Sequence, residues 1–182
     1  MTNKKQQNKL VLYISMSLDG FIATNDDDIS WLSMVEKEGE DYGYNSFTNT
    51  VGSYVIGRKT YEVVKELCGG IFPQADKFDC YVLTRQDKAS ENGVTFYNGD
   101  VSQLVKKLKE NNNGNIYCDG GGEVVKLLME QDLIDEYIIS VIPTILGDGK
   151  RLFKGGTGSI ALKAQAPVYY NSGLVQLRYT RE

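Results

Sequence analysis

The sequence contains no histidine, and that absence excludes several kinds of catalytic and metal-binding site. A Ser-His-Asp triad, a Cys-His pair and any metal cluster with histidine ligands are all ruled out. Acid–base chemistry must therefore come from carboxylates, tyrosines, lysines, the substrate or water.

Cysteine is scarce as well. Cys68, Cys80 and Cys118 are far apart and odd in number, so they indicate neither a disulfide framework nor a Cys-x-x-Cys metal site. The three aspartates at 26–28 are either cation ligands or a solvated turn. No further ligands are spaced to complete a site, so we expect no metal.

Long apolar runs and basic tracts are missing too. The polar segment 1–9 precedes a short apolar run at 10–14, which lacks the length of a signal-peptide core or a membrane span. We expect a flexible tail over 1–9, no membrane contact and a cytoplasmic protein. The net charge of −4 argues against nucleic-acid binding, and 182 residues suffice for one domain over 10–182 with a cofactor-sized cleft.

Apolar strand patterns alternate with helical patterns along most of the chain, which predicts an α/β layered sheet with mostly parallel pairing. Residues 10–14 are apolar throughout, which is typical of a central strand covered on both faces. Near the end, Asn171-Ser172-Gly173 separates two apolar segments and predicts an antiparallel hairpin. Predicted strands are 53–56, 79–83, 94–97 and 137–142, and predicted helices are 40–50, 61–67, 101–109 and 122–131.

A triple glycine stands between a strand and a helix at 116–128. Gly120, Gly121 and Gly122 follow Ile116-Tyr117-Cys118-Asp119 and lead into an amphipathic stretch. Glycines admit a ligand close to the backbone, and the first amides of the next helix favour a phosphate. The same pattern also fits a plain tight turn, so both interpretations stay open.

Several segments together resemble one known family, the reductase (RibD C-terminal) domain of riboflavin biosynthesis, which shares the dihydrofolate reductase fold. The Gly57-Arg58-Lys59-Thr60-Tyr61 segment is closer to the Gly-Arg-x-Thr turn of dihydrofolate reductase itself, and the resemblance covers about residues 10–153. The matching segments are 16–23 (MSLDGFIA), 30–32 (SWL), 119–121 (DGG), 133–136 (LIDE) and 143–149 (PTILGDG).

The resemblance implies a three-layer αβα dihydrofolate reductase-like fold and an NADPH-dependent reductase. The implied substrate is a small pterin- or pyrimidine-like molecule, as for 5-amino-6-(5-phosphoribosylamino)uracil reductase of riboflavin biosynthesis. A dihydrofolate reductase-like activity and an NADP(H)-binding protein without turnover remain alternatives.

The resemblance also implies which residues bind the cofactor. The Gly-Arg-x-Thr turn and the end of the 79–83 strand would take the 2′-phosphate side, and the glycine turn the pyrophosphate. Arg58 and Arg85 suit bidentate phosphate contacts, but each could also be a solvated surface charge. The predicted cofactor residues are Ser15, Gly57, Arg58, Lys59, Thr60, Leu83, Thr84, Arg85, Gly120, Gly121, Gly122, Glu123 and Val124.

Two carboxylates are candidates for the catalytic proton donor. Asp41 precedes Gly57 by a spacing that resembles that of the active-site acid in bacterial dihydrofolate reductase, but it could be an exposed residue of an acidic stretch. Asp119 stands where the riboflavin family has Glu, but it could simply cap the next helix.

On the substrate side, the resemblance points to Trp31, which could equally be a core residue. Tyr13 and Ser15 on the first strand are expected to reach the substrate and the nicotinamide from alternate faces, of which only one can be right. Phe21 replaces a basic residue of the phosphoribosyl-binding family, and an acidic segment follows Trp31. These departures put a ribose-5-phosphate site in doubt.

The C-terminal hairpin at 160–181 is unusually apolar for a sheet edge, since it carries Tyr169, Tyr170, Leu174, Val175, Leu177 and Tyr179. Either the rest of the domain covers this surface or a second copy does. The expected assembly is a homodimer.

Overall fold

A computed structural model describes residues 7–111 and 113–182. The helices are α1 (Tyr44–Thr48), α2 (Arg58–Leu67), α3 (Val101–Glu110) and α4 (Gly122–Glu130), with 3₁₀ turns at Ser30–Val35 and Pro73–Asp76. The strands are β1 (Leu10–Ser17), β2 (Phe21–Ala23), β3 (Val51–Gly57), β4 (Asp79–Leu83), β5 (Val94–Tyr97), β6 (Asn115–Cys118), β7 (Glu136–Ile142), β8 (Lys150–Arg151), β9 (Leu162–Ala164), β10 (Val168–Tyr169) and β11 (Val175–Arg181).

Within residues 7–111 and 113–182, nine strands form one mixed sheet in the order β10-β11-β7-β1-β6-β3-β4-β5, with β9 also pairing β11. The block from β7 to β5 is parallel, and β11 runs antiparallel to β7, β9 and β10. The predicted mostly parallel sheet with an antiparallel C-terminal hairpin is therefore confirmed. Strands β2 and β8 form a separate two-stranded sheet.

Strand β1 lies in the interior of the sheet, between β7 and β6, as its apolar run predicts. Leu10 and Leu12 point into a core shared with α3 and α4. Val11 and Tyr13 point into a second core shared with α1 and α2. Because period-2 alternation sends neighbouring side chains to opposite faces, this strand separates two helical layers, and the three-layer αβα arrangement is confirmed.

Two helix starts differ from the prediction. Helix α1 is only five residues long, because Tyr42 and Gly43 adopt positive φ angles that interrupt a longer helix. Helix α2 begins at Arg58, so the predicted Gly-Arg-x-Thr turn is the first turn of this helix.

The predicted tail and the loop motifs make long-range contacts. Residues 1–6 lie outside the described residues, but the Lys9 amide donates to Asn115 Oδ1 at 2.9 Å. The Asp19 carboxylate accepts hydrogen bonds from the Leu146 and Gly147 amides at 3.1 and 2.7 Å. The Ser-Leu-Asp-Gly motif thus holds the 143–149 loop in place. None of the helices in the described ranges is long and apolar enough to cross a membrane.

Candidate active site

The carboxyl ends of three neighbouring parallel strands meet at one edge of the sheet. Strands β6, β3 and β4 lie side by side in that order. Ligands of open α/β sheets bind at this kind of edge. The segments that follow the three strands were each predicted to bind the cofactor, and they are 119–124, 57–60 and 84–85.

Two of these segments touch directly. The Gly57 amide donates to the Gly120 carbonyl at 3.1 Å, and the Gly121 amide donates to Thr60 Oγ1 at 3.1 Å. A Cβ atom at Gly121 would lie 2.8 Å from that hydroxyl oxygen, and Gly120 has a φ of +91°. Both glycines are therefore needed for the close approach. The peptide bond between them is cis.

Helices α2 and α4 begin at this edge without a side-chain cap. Their N-cap residues are Gly57 and Gly121, which have no side chain to accept a hydrogen bond from the first-turn amides of either helix. Helix α3, by contrast, is capped by Asp100, which accepts from the Ser102 and Gln103 amides. Uncapped first-turn amides with the positive end of the helix dipole behind them favour an anion.

Of the three predicted cofactor residues that open α4, Gly122 and Val124 are buried, whereas the Glu123 side chain is 76% exposed. A Cβ atom at Gly122 would lie 2.4 Å from the Arg151 carbonyl oxygen, and Val124 packs against Gly57. Glu123 pairs with Lys154. The Val124 amide donates to the Gly121 carbonyl at 2.9 Å, so the backbone amides of Gly122 and Glu123 are the groups available to a ligand.

The predicted phosphate-binding cations lie around these helix starts. Arg58 forms an ion pair with Glu62 of its own helix at 2.7 Å. Lys59 and Arg85 are exposed. The hydrogen bond from Lys154 chiefly holds the pKa of Glu123 below its usual range, and the charge of Arg85 adds to this effect. Arg85 therefore lies near the start of α4.

The end of β4 is fixed by local hydrogen bonds. Leu83 is buried. The Thr84 amide donates to the Tyr97 carbonyl at 3.0 Å, and Thr84 Oγ1 accepts from the Gln86 amide at 3.1 Å. The Thr84 hydroxyl keeps its own proton for a further acceptor.

Asp119, between β6 and the glycines, lies among aromatic side chains. Its carboxylate accepts hydrogen bonds from the hydroxyls of Tyr54 and Tyr117, the latter at 2.9 Å. Burial raises the pKa of Asp119 to about 6, although the two phenol hydrogen bonds oppose this rise. The negative charge of Asp119 also helps to raise the pKa of Tyr44, after burial of that phenol. An acid that titrates near pH 6 is suited to proton transfer in the physiological range.

Asp41 has different surroundings. Its exposed carboxylate accepts from the Gly43 and Asn45 amides at 2.9 and 3.0 Å. These and other hydrogen bonds to backbone amides hold the pKa of Asp41 below its usual value. The contacts are those of a residue that organises the start of α1, and an ionised carboxylate has no proton to donate.

Tyr13 and Ser15 are two positions apart on β1, so they share one face of the sheet, and the expectation of alternate faces was wrong. The Tyr13 hydroxyl donates to the Tyr42 carbonyl at 3.0 Å and accepts from Gln176 Nε2 at 3.3 Å. Burial raises the pKa of Tyr13 to about 12. Ser15 pairs in the sheet with Ser140.

Sequence reasoning missed Tyr44, Tyr54 and Tyr117, which surround Asp119. A signal for Tyr117 was present, because it stands two positions before Asp119 and strand alternation places both on one side. Tyr54 offered no comparable signal, since its contact with Asp119 joins residues 65 positions apart.

Trp31 lies in a third apolar cluster with Val35, Ile142 and Leu174. Its indole Nε1 is buried and has no hydrogen-bond partner within the described ranges. The chain that follows it forms the wall of a cavity of about 590 Å³. That cavity is lined by Glu36, Lys37, Glu38, Glu40, Asp41, Tyr42 and Tyr44.

This chain is similar in sequence and in fold to several known proteins. The sequence profile of the RibD C-terminal domain matches residues 8–166. The uncharacterized protein YwjB of Bacillus subtilis (strain 168) is 43% identical over 176 residues, which cover 96% of this chain and 99% of YwjB. A crystal structure from Shewanella sp. PV-4, assigned provisionally to riboflavin biosynthesis, has a TM-score of 0.85 at 26% identity, covering 96% of this chain and 99% of that one.

Two more distant structures share the fold. The diaminohydroxyphosphoribosylaminopyrimidine deaminase/5-amino-6-(5-phosphoribosylamino)uracil reductase of Thermotoga maritima gives a TM-score of 0.74 at 17% identity, covering 98% of this chain and 58% of that one. Dihydrofolate reductase from Enterococcus faecalis, solved with NADP(H), gives a TM-score of 0.64 at 18% identity, covering 97% of this chain and 98% of that one. The predicted dihydrofolate reductase-like fold is confirmed, and since the family profile spans most of the sequence, the chain belongs to the RibD C-terminal domain family.

Proposed function

We propose that the protein is an NADPH-dependent reductase of a small pterin- or pyrimidine-like substrate. The observation that carries the proposal is the meeting of two uncapped helix starts, at Gly57 and Gly121, beside the half-buried acid Asp119. The first feature suits a dinucleotide phosphate chain, and the second suits protonation of a reduced C=N or C=O bond.

The residues present fit a nicotinamide dinucleotide. The first amides of α4 would face its pyrophosphate, and Arg58, Lys59 and Arg85 would supply cations for a 2′-phosphate. Breaking the ion pair between Arg58 and Glu62 to bind a phosphate would cost little free energy, because the pair is half exposed. When bound, NADPH would supply a hydride.

The chain's own residues would handle the proton and the substrate. Asp119, protonated below about pH 6, would donate a proton to the atom next to the one reduced. The rings of Tyr13 and Tyr44, whose centroids are 5.9 Å apart, would form an apolar wall that excludes water. The Enterococcus faecalis neighbour was solved with NADP(H), which supports a nicotinamide dinucleotide as the cofactor.

Thermal melting tests the cofactor assignment. NADPH at about 100 times its Kd should stabilise the fold by about 2.7 kcal/mol, which corresponds to roughly 5–10 °C for a chain of this size. NADH should stabilise it much less, because it lacks the 2′-phosphate. Arg58→Ala combined with Arg85→Ala should remove the difference between the two cofactors.

The matched control is Lys106→Ala with Lys107→Ala, which removes the same charge from the exposed side of α3 and should keep the preference. Equal stabilisation by NADPH and NADH would contradict the 2′-phosphate assignment. Binding without NADPH oxidation, across a panel of pterins and pyrimidines that includes dihydrofolate, would favour the alternative of a non-catalytic NADP(H)-binding protein.

We also propose that two copies associate through the C-terminal strands in the cytoplasm. Tyr170 and Leu174 of the hairpin pack inside the domain, but Tyr169 is 75% exposed and Leu162 and Val168 are partly exposed. These apolar side chains lie on outer strands, where a second copy would cover them. Sedimentation equilibrium should give a dimer mass, and Tyr169→Glu should lower it.

A further inference from the structure

Two tyrosines from neighbouring strands hold the Asp119 carboxyl group. Tyr54 of β3 donates to Oδ2, and Tyr117 of β6 donates to Oδ1 at 2.9 Å. The two tyrosines are direct partners across the parallel pair, and their ring centroids are 4.9 Å apart at 83°. Each carboxyl oxygen therefore has its own phenol, and both phenols come from rigid strands.

The hydroxyl groups are not required by packing. Tyr54 is completely buried and Tyr117 nearly so, and phenylalanines such as Phe47 and Phe72 fill the same core. A buried phenol hydroxyl costs free energy unless it is hydrogen-bonded. For Tyr54 and Tyr117 the partner is Asp119, so the two hydroxyls and the carboxyl group form one unit.

We propose that Tyr54 and Tyr117 are positioning residues that fix the orientation of the Asp119 carboxyl group. The proposal rests on the reductase function proposed above. A carboxyl group anchored at both oxygens cannot rotate freely, so its proton would be presented to the substrate in one direction.

The surroundings of Asp119 give the expected direction of change. The titratable groups around it are Tyr54 from β3, Tyr117 and Cys118 from β6 and Tyr44 from α1. Both phenol hydrogen bonds lower the pKa of Asp119 against the effect of burial. Removing one hydroxyl therefore destabilises the carboxylate and raises that pKa further.

The test compares Tyr54→Phe and Tyr117→Phe with Tyr61→Phe. Tyr61 is a buried tyrosine of the same core that packs edge-on against Phe72, so its variant controls for loss of a core hydroxyl. The pKa of Asp119 is read from the carboxyl carbon-13 shift of labelled protein between pH 4 and 9, with Asp119→Asn to assign the signal. The pH profile of kcat/KM is measured on the same variants.

We expect each of the first two variants to raise the pKa of Asp119 by about one unit, the size of one hydrogen bond to a charged group, and Tyr61→Phe to leave it in place. The pH profile should shift by the same amount, with kcat reduced about tenfold and KM nearly unchanged. An unshifted carboxyl signal in both variants would overturn the proposal. A shifted signal without a matching shift of the pH profile would overturn its catalytic part.

The two measurements separate this proposal from the proposed function. If the protein oxidises no NADPH with any substrate, the reductase function fails, whereas the carbon-13 titration still decides whether the tyrosines control Asp119. If the enzyme is active and neither tyrosine variant alters the titration, the reductase function stands and the positioning role is lost.

Discussion

The surroundings of Asp119 disfavour its ionised form, and this lowers the free energy of unfolding at high pH. Its pKa rises from 3.8 to about 6 on folding, chiefly because of burial. Well below pH 4 the group is protonated in both the folded and the unfolded chain, so it does not affect the free energy of unfolding. As the pH rises through 4 to 6 the folded state resists ionisation, and above that window it loses about 3 kcal/mol of stability.

Asp119→Asn removes this ionisation and should stabilise the protein in a pH-dependent manner. At pH 8 the variant should melt roughly 5–10 °C above the natural protein, and below about pH 3 the two should melt together. Thermal melts from about pH 3 to pH 8 measure the difference, in which titration of all other groups cancels. A difference that is constant with pH would show that Asp119 does not titrate in this window.

Substitution of Asp119 also distinguishes between the two candidate proton donors, Asp119 and Asp41. If Asp119 donates the proton, Asp119→Asn should lower kcat/KM by about 100-fold or more. A loss confined to Asp41→Asn would return the role to Asp41. The sequence singled out both carboxylates by their spacing to glycines, but it could not rank them. The ranking depends on burial and on hydrogen bonds donated by Tyr54 and Gly43, which only the folded chain reveals.

Among the elements, α4 is fixed by a close crossing at its first residue. A Cβ atom at Gly122 would lie 2.4 Å from the Arg151 carbonyl oxygen of β8, and neither backbone can easily yield. Gly122→Ala should therefore cost about 1–3 kcal/mol and weaken NADPH binding, because it displaces the α4 amides. Denaturant unfolding and cofactor titration measure the two effects.

Gly155→Ala is the matched control, because a Cβ atom there meets nothing within 4 Å. It should change stability by less than about 0.5 kcal/mol. Equal behaviour of the two variants would mean that the start of α4 moves freely away from β8.

The elements of the parallel block were predictable because each carries its own periodicity. The apolar spacing of Leu104, Val105 and Leu108 was sufficient for α3, whose apolar face is buried as expected. Strands β2 and β8 could not be predicted. They have three residues and two residues, and they exist through pairing with each other and not through a local pattern.

For the molecule as a whole, the order of the matched segments was enough to predict the fold and the edge at which the turns meet. The partners across that edge were not predictable. Tyr54 and Tyr117 become neighbours only because β6 lies beside β3 in the finished sheet. The resemblance predicted which residues would bind a cofactor, whereas the tyrosines around Asp119 are seen only in the structure.

The charge of the whole molecule bears on the substrate. The net charge is −4, and the cavity beside Tyr44 is lined by four acids and one lysine: Glu36, Glu38, Glu40 and Asp41 against Lys37. A substrate that carries a phosphate would enter against this potential. We therefore expect a pyrimidine substrate without phosphate to have about tenfold higher kcat/KM than its phosphorylated form at low salt.

Added salt should reduce the difference in kcat/KM between the two forms of the substrate, because charges are screened beyond about 10 Å at 0.1 M ionic strength. The double variant Glu38→Gln with Glu40→Gln should reduce this difference in kcat/KM as well, since both carboxylates line the cavity. The control Glu110→Gln, an exposed residue at the end of α3, should leave the difference unchanged. NADPH oxidation with the paired substrates, at two salt concentrations, measures all three effects. Faster turnover of the phosphorylated form in the natural protein would mean that the cations near the cleft outweigh its acidic wall, and would favour a phosphoribosyl substrate.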